Sequence, residues 1–575
     1  MASARTLAAA VASVAFLLGP PQAQARGAGF LQQQREGAGG VWSDVRGAID
    51  AALALGLAEG ARLAELEGAL AATWRSLPKN GAGLLEAQTL RLVVRRHFSR
   101  ASALVVRGFE PSQQYWPQAA GRAGGAGAFG DGALEQLGGA LASGQAASPR
   151  GFSARDAALV VLLVERLVSD QEEALLEEAY ENCSLSPHGR IGRAQLQTAL
   201  EHYLVQWMMG SDRETANALL ANRSILESGF PHWAALADLL RGSVRALDFR
   251  RQRAMQPGAL RAEYSFQEAR AIVAGITRSF ASFWDDECRV MKEGLVKMDT
   301  YRTGRVPLSK FYGAGLDTEW RYGESEAYLR GLGVLDESSR WLGKQVIITN
   351  YMHGESNCIV SGSHYKVCCM DDCEGLLGEI EAAAGSPALD PLELLELVEN
   401  VAAPTLAADD GTPALPRALA AQLRSIAAAH GGVVPLHGRL FARWLHLAFP
   451  HHCPLPPPAA SHAARPVASF SDEQMATREE MLQHAGAAAA AADEAENATA
   501  AAAGSELHLM SHWSVQELAA DQGAPRAPWG RGPARGTAGL VLLLALTASG
   551  ALGAAAAARG GQGSARTRGE RAYLV

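Results

Sequence analysis

The segment Asp299–Lys310, with the sequence DTYRTGRVPLSK, has the outline of a short loop between two helices. The residues before it place Leu295 and Met298 on one helical face. Gly304 provides the residue that a sharp bend favours, and Val306, two positions later, is an aliphatic residue suited to pairing with a second loop. The segment therefore predicts a helix–loop–helix unit.

The same pattern, a glycine followed two positions later by an apolar residue, recurs along the chain between apolar helical segments. It occurs at Gly83/Leu85, Gly189/Ile191, Gly304/Val306 and Gly432/Val434. This is the skeleton of an EF-hand, in which glycine at loop position 6 makes the bend. Turns between antiparallel helices can contain the same pattern, so both origins stay open at this point.

Calcium binding in such a loop requires several oxygen ligands and a bidentate glutamate at position 12. In Asp299–Lys310 the available ligands are the Asp299 carboxylate, the Thr303 hydroxyl and the backbone carbonyl of Arg305. Position 12 is Lys310, whose ammonium group repels a cation. We therefore predict no bound cofactor and no calcium binding tighter than about millimolar.

The loop Ser184–Gln195 is the next best candidate for such a site. Its positions 1, 3, 5 and 12 are Ser184, Ser186, His188 and Gln195. None of these side chains is an acid, so we expect no tight calcium site here either.

Periodic apolar residues over most of the chain predict a mainly α fold. The expected architecture is helix–loop–helix (EF-hand-like) units, a small Cys-rich segment with minor β structure, and one C-terminal transmembrane helix. The predicted domains, in chain order, are a signal peptide 1–25, an N-terminal helical unit 40–117, a Gly-rich linker 118–150, a helical EF-hand-like domain 151–316, a Cys-rich α(+β) domain 317–453, a Pro/Ala/Gly-rich stalk 454–536, a transmembrane helix 537–558 and a basic cytosolic tail 559–575.

Six of the seven cysteines lie in the second half of the chain, and we expect them to form disulfides. They are Cys288, Cys358, Cys368, Cys369, Cys373 and Cys453. Six cysteines allow 15 connectivities, among which the sequence does not choose. Cys183 is the odd residue and is expected to be free.

Metal binding is the alternative for the same region. Cys369 and Cys373 have a spacing that zinc tolerates, and His364, His451, His452 and Cys453 are available as further ligands. The histidines crowded into this part of the chain also suggest a pH-sensitive site, although such histidines are more often exposed or hydrogen-bonded. They are His430, His437, His446, His451 and His452.

Both ends of the chain predict the secretory pathway. An apolar stretch from Thr6 to Gly19 precedes Ala23-Gln24-Ala25, the small-residue pattern of a cleavage site. Residues 537–558 contain no charge and are long enough to cross a bilayer. We therefore expect a single-pass type I membrane protein, at the cell surface or in an endomembrane, that contacts the membrane through its C-terminal helix.

Composition and short motifs argue against a few classes of function and identify none. The net charge of −8 argues against a nucleic-acid binder. Glycosylation acceptors occur at Asn182, Asn222 and Asn497. The sequence contains no zinc-protease, Walker A or nucleophile-elbow motif. The favoured function is a membrane-tethered extracellular or luminal structural or interaction module with unknown protein partners; a calcium-binding ectodomain and a hydrolase with an unrecognised site are the alternatives.

Four segments resemble uncharacterised proteins that are common in dinoflagellate algae. They are Asn350–Leu377 (NYMHGESNCIVSGSHYKVCCMDDCEGLL), His430–Pro456 (HGGVVPLHGRLFARWLHLAFPHHCPLP), Trp320–Glu337 (WRYGESEAYLRGLGVLDE) and Arg95–Pro111. The resemblance implies a secreted or membrane protein family with degenerate EF-hand-like units. It implies no activity, and the ligand positions of this chain depart from the EF-hand pattern.

Overall fold

The computed structural model describes residues 45–54, 56, 61–110, 133–143, 151–210, 213–229, 233–254, 263–318, 321–338, 343–360, 364–409, 415, 417–456 and 474–495. The chain divides into two units, Met1–Pro525 and Arg526–Val575, and all of these residues belong to the first. The predicted signal peptide 1–25, membrane span 537–558 and tail 559–575 lie outside the described residues. No helix in the described part combines the length and apolar character needed to cross a bilayer.

The described part is mainly helical, which confirms the predicted class at that level. Its α-helices are α1 Val45–Ala54, α2 Ala61–Ser76, α3 Ala87–Ser102, α4 Ala133–Ser143, α5 Ala154–Asn182, α6 Arg193–Met209, α7 Arg213–Ala221, α8 Arg223–Gly229, α9 Trp233–Ala254, α10 Phe266–Met298, α11 Leu308–Leu316, α12 Glu326–Gly331, α13 Ile348–Met352, α14 Asp372–Ala384, α15 Pro391–Asp409, α16 Arg417–Ala429, α17 Arg439–Ala448 and α18 Arg478–Ala495.

Short strands lie mostly in the connections between these helices. They are β1 Leu104–Val106, β2 Arg190–Gly192, β3 Glu263–Ser265, β4 Arg305–Pro307, β5 Leu335–Asp336, β6 Gln345–Ile347, β7 Ile359–Val360, β8 Tyr365–Val367, β9 Ala388–Leu389 and β10 Val434–Pro435. Their sheets have two or three strands, in the orders β1-β8-β7, β10-β9, β2-β3 and β4-β6-β5.

The four loops with the glycine-and-apolar pattern are each bridged to a second loop. The antiparallel partners are Leu85 with Phe152, Ile191 with Tyr264, Val306 with Val346 and Val434 with Leu389. The apolar residue two positions after the glycine is therefore the bridging residue in every case. The loops that carry the pattern are thus joined in pairs with loops that lack it.

Glycine is required at three of these bends because the backbone is left-handed there. Gly83, Gly304 and Gly432 have φ of +75°, +74° and +95°, a region that side chains with a Cβ rarely adopt. Gly189 is not among the residues with positive φ. Instead Ser184, at the start of that loop, takes φ 55°.

Two long helices connect successive loop pairs without interruption. The 29-residue α5 leaves the Leu85–Phe152 pair and enters the loop of Ile191, and the 33-residue α10 leaves the Ile191–Tyr264 pair and enters the loop of Val306. Both begin with a capping box, Ser153 with Asp156 and Ser265 with Glu268. The capping boxes fix where each helix starts relative to the bridge beside it.

Apolar side chains form three clusters that follow this organisation. The first contains buried residues between 45 and 281 together with Tyr365 and Val367 of β8. The second lies around the Val306–Val346 bridge, between residues 288 and 369. The third lies around the Val434–Leu389 bridge, between residues 380 and 453.

Two predicted connecting segments contain folded helices. In the predicted linker 118–150, α4 buries Leu134, Leu137 and Leu141 in the first cluster. In the predicted stalk 454–536, α18 follows a bridge between Met475 and Glu324, and Met481 packs against the second cluster. Both predictions missed these helices because small residues outnumber large apolar ones in the two segments.

The predicted disulfides are confirmed for all six clustered cysteines. The pairs are Cys288–Cys369, Cys358–Cys368 and Cys373–Cys453, and Cys183 is free. The neighbouring Cys368 and Cys369 therefore belong to different disulfides.

Candidate functional site

The loop that follows α10 holds its first residue in a buried position. The side chain of Asp299 is 1% exposed. Its Oδ2 accepts a hydrogen bond from the Gly304 backbone N–H at 2.7 Å, and its Oδ1 accepts one from the Tyr301 N–H at 3.2 Å. These bonds fold the loop over its own carboxylate, as the position-1 carboxylate of a metal loop would be placed.

A third donor to this carboxylate comes from a distant part of the chain. His451 Nε2 lies 2.9 Å from Asp299 Oδ2, although 152 residues separate them. Burial raises the pKa of Asp299, but His451 and the backbone N–H groups of Gly304 and Thr303 outweigh it and hold that pKa below its usual value. The carboxylate is thus ionised and satisfied by the protein itself.

His451 belongs to residues 449–456, which we call the strap. The disulfide Cys373–Cys453 attaches the strap to α14, and Thr349 Oγ1 donates to the Cys453 carbonyl at 3.1 Å. Asn350 exchanges two hydrogen bonds with the Leu455 backbone, at 2.9 and 2.8 Å. These contacts hold the C-terminal half of the strap against α13 and α14.

The strap also packs closely against Gly304. A Cβ at this position would lie 2.4 Å from the carbonyl oxygen of Pro450, far inside van der Waals contact. Glycine is therefore required here both for its left-handed φ and for the space that the strap occupies.

Thr303 and Arg305 carry the two other predicted ligands, a hydroxyl and a backbone carbonyl. Arg305 directs its Nε to Asp336 Oδ2 at 2.7 Å and donates from Nη1 to the Thr303 carbonyl at 2.9 Å. Thr303 Oγ1 is buried and has no hydrogen-bond partner among the described residues. The Arg305 side chain therefore contacts Asp336 of the neighbouring strand β5.

Lys310, at position 12, uses its charge inside the same loop. Its Nζ donates to Thr300 Oγ1 at 2.5 Å and to the Met298 carbonyl at 3.4 Å. The carbonyl belongs to the last turn of α10, where a cation is stabilised by the helix dipole. His451 contacts the carboxylate at position 1, and Lys310 places its charge at position 12. These are the two ends of the loop at which a bound cation would be coordinated.

Two acids that follow other bridges, Asp156 and Glu268, are occupied as helix caps. Counting the bridging residue as position 8, position 12 is Asp156 beside Phe152 and Glu268 beside Tyr264. Asp156 Oδ2 accepts from the Ser153 N–H at 2.8 Å, and Glu268 Oε2 accepts from the Ser265 N–H at 2.8 Å.

Gln195, at position 12 of Ser184–Gln195, accepts from the Gly192 N–H in the same way, at 3.0 Å. A side chain that caps its own helix in this manner turns back to the backbone instead of into the loop. Across the described residues there is no group of three His, Cys, Asp or Glu that could hold a metal ion.

The cysteine-based zinc alternative is wrong. Cys369 and Cys373 are both oxidised, in bonds with Cys288 and Cys453, so neither sulfur is available as a thiolate ligand.

The crowded histidines contact different partners. Buried His446 contacts the Cys453 carbonyl through Nδ1 at 2.8 Å, and His452 Nδ1 lies 3.5 Å from Asp372. Burial lowers the pKa of His446 to about 4, assisted by Arg305 and Arg443.

A buried ionic cluster between α3 and α14 has no counterpart in the sequence analysis. Arg96 is 3% exposed on its side chain and contacts both Glu374 and Glu381. Thr73 Oγ1 donates to Glu381 Oε2 at 3.1 Å. The cluster joins helices about 280 residues apart in sequence, which no local pattern could reveal.

The same cluster contains a serine, a histidine and a carboxylate, the residue types of a hydrolase triad. His437 Nε2 lies 3.3 Å from Ser76 Oγ and 3.3 Å from Glu381 Oε1. A relay needs the serine and the acid on opposite ring nitrogens, whereas here both meet the same nitrogen. Burial, with help from Arg96, lowers the pKa of His437 to about 3, so the ring is neutral near neutral pH.

A small cavity of about 140 Å³ lies beside the Cys288–Cys369 disulfide. Lys292 Nζ on its wall is 2.5 Å from Asp372 Oδ2. Burial raises the pKa of Asp372, but His452 and Lys292 outweigh it and hold that pKa well below its usual range. Lys292 and His452 therefore offset the charge of Asp372 on this wall.

Two of the three predicted glycosylation sites can be located. Asn182 is the exposed last residue of α5, and Asn222 is exposed just before α8. Asn497 lies outside the described residues. Modification at all three stays a prediction.

Comparison with known proteins gives no relative for this chain: no family model, no curated protein and no solved structure matches it.

Proposed function

We propose that this chain is a membrane-tethered extracellular or luminal structural or interaction module. Its body would be a series of EF-hand-like helix–loop–helix pairs whose loops are closed by side chains in place of calcium. The observation that carries this proposal is the contact between His451 and Asp299, at 2.9 Å.

A calcium-responsive loop must expose unsatisfied oxygen ligands in the absence of the ion, because binding energy then drives its rearrangement. The Asp299 carboxylate instead accepts two backbone N–H groups and faces a buried histidine. Calcium would have to displace His451 and approach Lys310 as well. A constitutive scaffold is therefore favoured over a calcium sensor.

The disulfides support an oxidising compartment. Structural disulfides persist in secreted and luminal proteins and are rare in the cytosol. Three are present here, and two of them close loops with sequence separations of 81 and 80. Together with the apolar segment 537–558 and the expected signal peptide, they favour a protein that enters the secretory pathway and stays attached to a membrane.

Fractionation of cells tests the tether directly. The full chain and a variant ending at residue 536 would be expressed through the secretory pathway and extracted with high salt and then carbonate. We expect the full chain to pellet with membranes and the shortened one to appear in the medium. A shortened chain that still pellets after carbonate would contradict the proposed anchor.

Reductant-free alkylation of the same material tests the compartment. At most one thiol, that of Cys183, should react. Labelling of four or more cysteines would contradict passage through an oxidising compartment.

A further inference from the structure

Two surfaces in the described part combine a highly exposed apolar side chain with uncompensated charge. Leu392 on α15 is 62% exposed and Phe249 on α9 is 56% exposed, the two highest values among the large apolar residues described. Large apolar side chains exposed to this degree mark interaction surfaces when they lie in a shaped or charged patch.

Phe249 belongs to an open groove of about 390 Å³ between α9 and α10. The other lining residues are Ser243, Ala246, Arg250, Ala271, Ile272 and Gly275. Small residues on both helices leave room in this groove for a side chain or a helix edge from another molecule.

The charge around the groove is positive. Arg250 lines it, and Arg245 stands one helical turn before Phe249 on the same face of α9. Both arginines are exposed, and neither forms an ion pair with a carboxylate of the described residues. The groove is therefore suited to an apolar side chain flanked by acids.

Helix α15 presents such a surface. Leu392 is followed by Glu393 and, one turn later on the same face, by Glu396, and both acids are exposed. Neither glutamate pairs with a basic group in the described part of the chain. We call Leu392, Glu393 and Glu396 the ridge.

We propose that the ridge of one copy of this protein docks in the α9–α10 groove of a second copy. Leu392 would pack beside Phe249, and Glu396 would approach Arg250. Because the two surfaces differ, the contact is head-to-tail and allows rings or open chains of copies. The proposal rests on the interaction role proposed above and names its partner.

Sedimentation velocity of the purified full chain over a concentration series tests this association. We expect concentration-dependent growth in mass, and a rise of at least about tenfold in the dissociation constant for Phe249→Ser, the size of effect expected for a central apolar anchor. Arg250→Glu and Glu396→Arg should each weaken association, because each places like charges opposite one another.

Charge exchange makes the test specific. The double variant Arg250→Glu/Glu396→Arg should recover association, as should an equimolar mixture of the two single variants. Lys297→Glu is the matched control: the same charge change, on an exposed residue of α10 about 33 Å along the helix from Gly275, should have no effect.

A chain that stays monomeric at every concentration would overturn the proposal, as would association that the two charge reversals leave unchanged. Loss of membrane attachment in the fractionation experiment would count against the tether alone. The two proposals can therefore fail separately.

Discussion

Asp299 and His446 show how single buried polar groups depend on the strap. His451 contacts the carboxylate of Asp299, and the carbonyl of Cys453 contacts the ring of His446. Both partners belong to residues 449–456. A buried polar group without its partner costs about 1–3 kcal/mol. Removal of the strap would therefore take one partner from each of two buried polar groups at once.

The low pKa of His446 predicts acid sensitivity. The folded state holds this ring neutral down to about pH 4, whereas the unfolded chain protonates it below about pH 6.5. Between these values the unfolded state binds more protons, so stability falls as the pH falls. His446→Asn keeps an N–H for the Cys453 carbonyl but cannot be protonated. It should reduce the loss in the free energy of unfolding between pH 6.5 and 5 by about 2 kcal/mol.

Urea unfolding at a series of pH values measures the effect. His188→Asn is the control, because His188 is exposed on a loop surface and its substitution should leave the slope as it was. An unchanged slope in His446→Asn would show that this residue is not the acid-sensitive group.

Loop pairs are the elements that the sequence predicted in part. The apolar residues Leu85, Ile191, Val306 and Val434 could be identified because each follows a glycine by two positions. Their partners Phe152, Tyr264, Val346 and Leu389 follow no such glycine, so their loops carried no recognisable signal.

The candidate site was predictable only as far as local sequence reaches. Asp299 and Lys310 lie in one short pattern, but His451 arrives through tertiary packing from 152 residues away. For the same reason the sequence predicted six oxidised cysteines without their pairing, since connectivity depends on which elements meet in the fold.

Gly304 offers a test of the contact between the loop and the strap. Gly304→Ala should lower the free energy of unfolding by about 2–4 kcal/mol, because it adds a clash with Pro450 to the strain of a left-handed alanine.

Gly343→Ala is the matched control for that substitution. Gly343 also has a positive φ, +67°, but no atom lies within 4 Å of the place that a Cβ would occupy, so only the backbone strain of about 1 kcal/mol applies. Chemical denaturation compares the two variants. Equal decreases in the free energy of unfolding would mean that the strap does not contact the loop closely at Gly304.

Disulfides and ion pairs join distant parts of the sequence within the described residues. Cys373–Cys453 and Cys288–Cys369 have nearly equal sequence separations, 80 and 81, so their contributions to the entropy of the unfolded chain should be alike, about 4 kcal/mol each. Only Cys373–Cys453 anchors the strap.

Removing each of these two disulfides in turn distinguishes a general loss of stability from a loss of the contact between the strap and the loop. Cys373→Ala/Cys453→Ala and Cys288→Ala/Cys369→Ala should lose similar stability, but only the first should speed the reaction of His451 with diethylpyrocarbonate, followed by mass spectrometry. Equal reactivity of His451 in both variants would contradict the role given to the strap.

We propose that His451 and Lys310 take the place of a calcium ion in the Asp299–Lys310 loop. Calorimetric titration of calcium into the purified chain tests it most directly. The carboxylate is already satisfied by His451 and two backbone N–H groups, and Lys310 occupies position 12, so we predict no binding tighter than about millimolar. A micromolar site that disappears in Asp299→Ala would contradict the account.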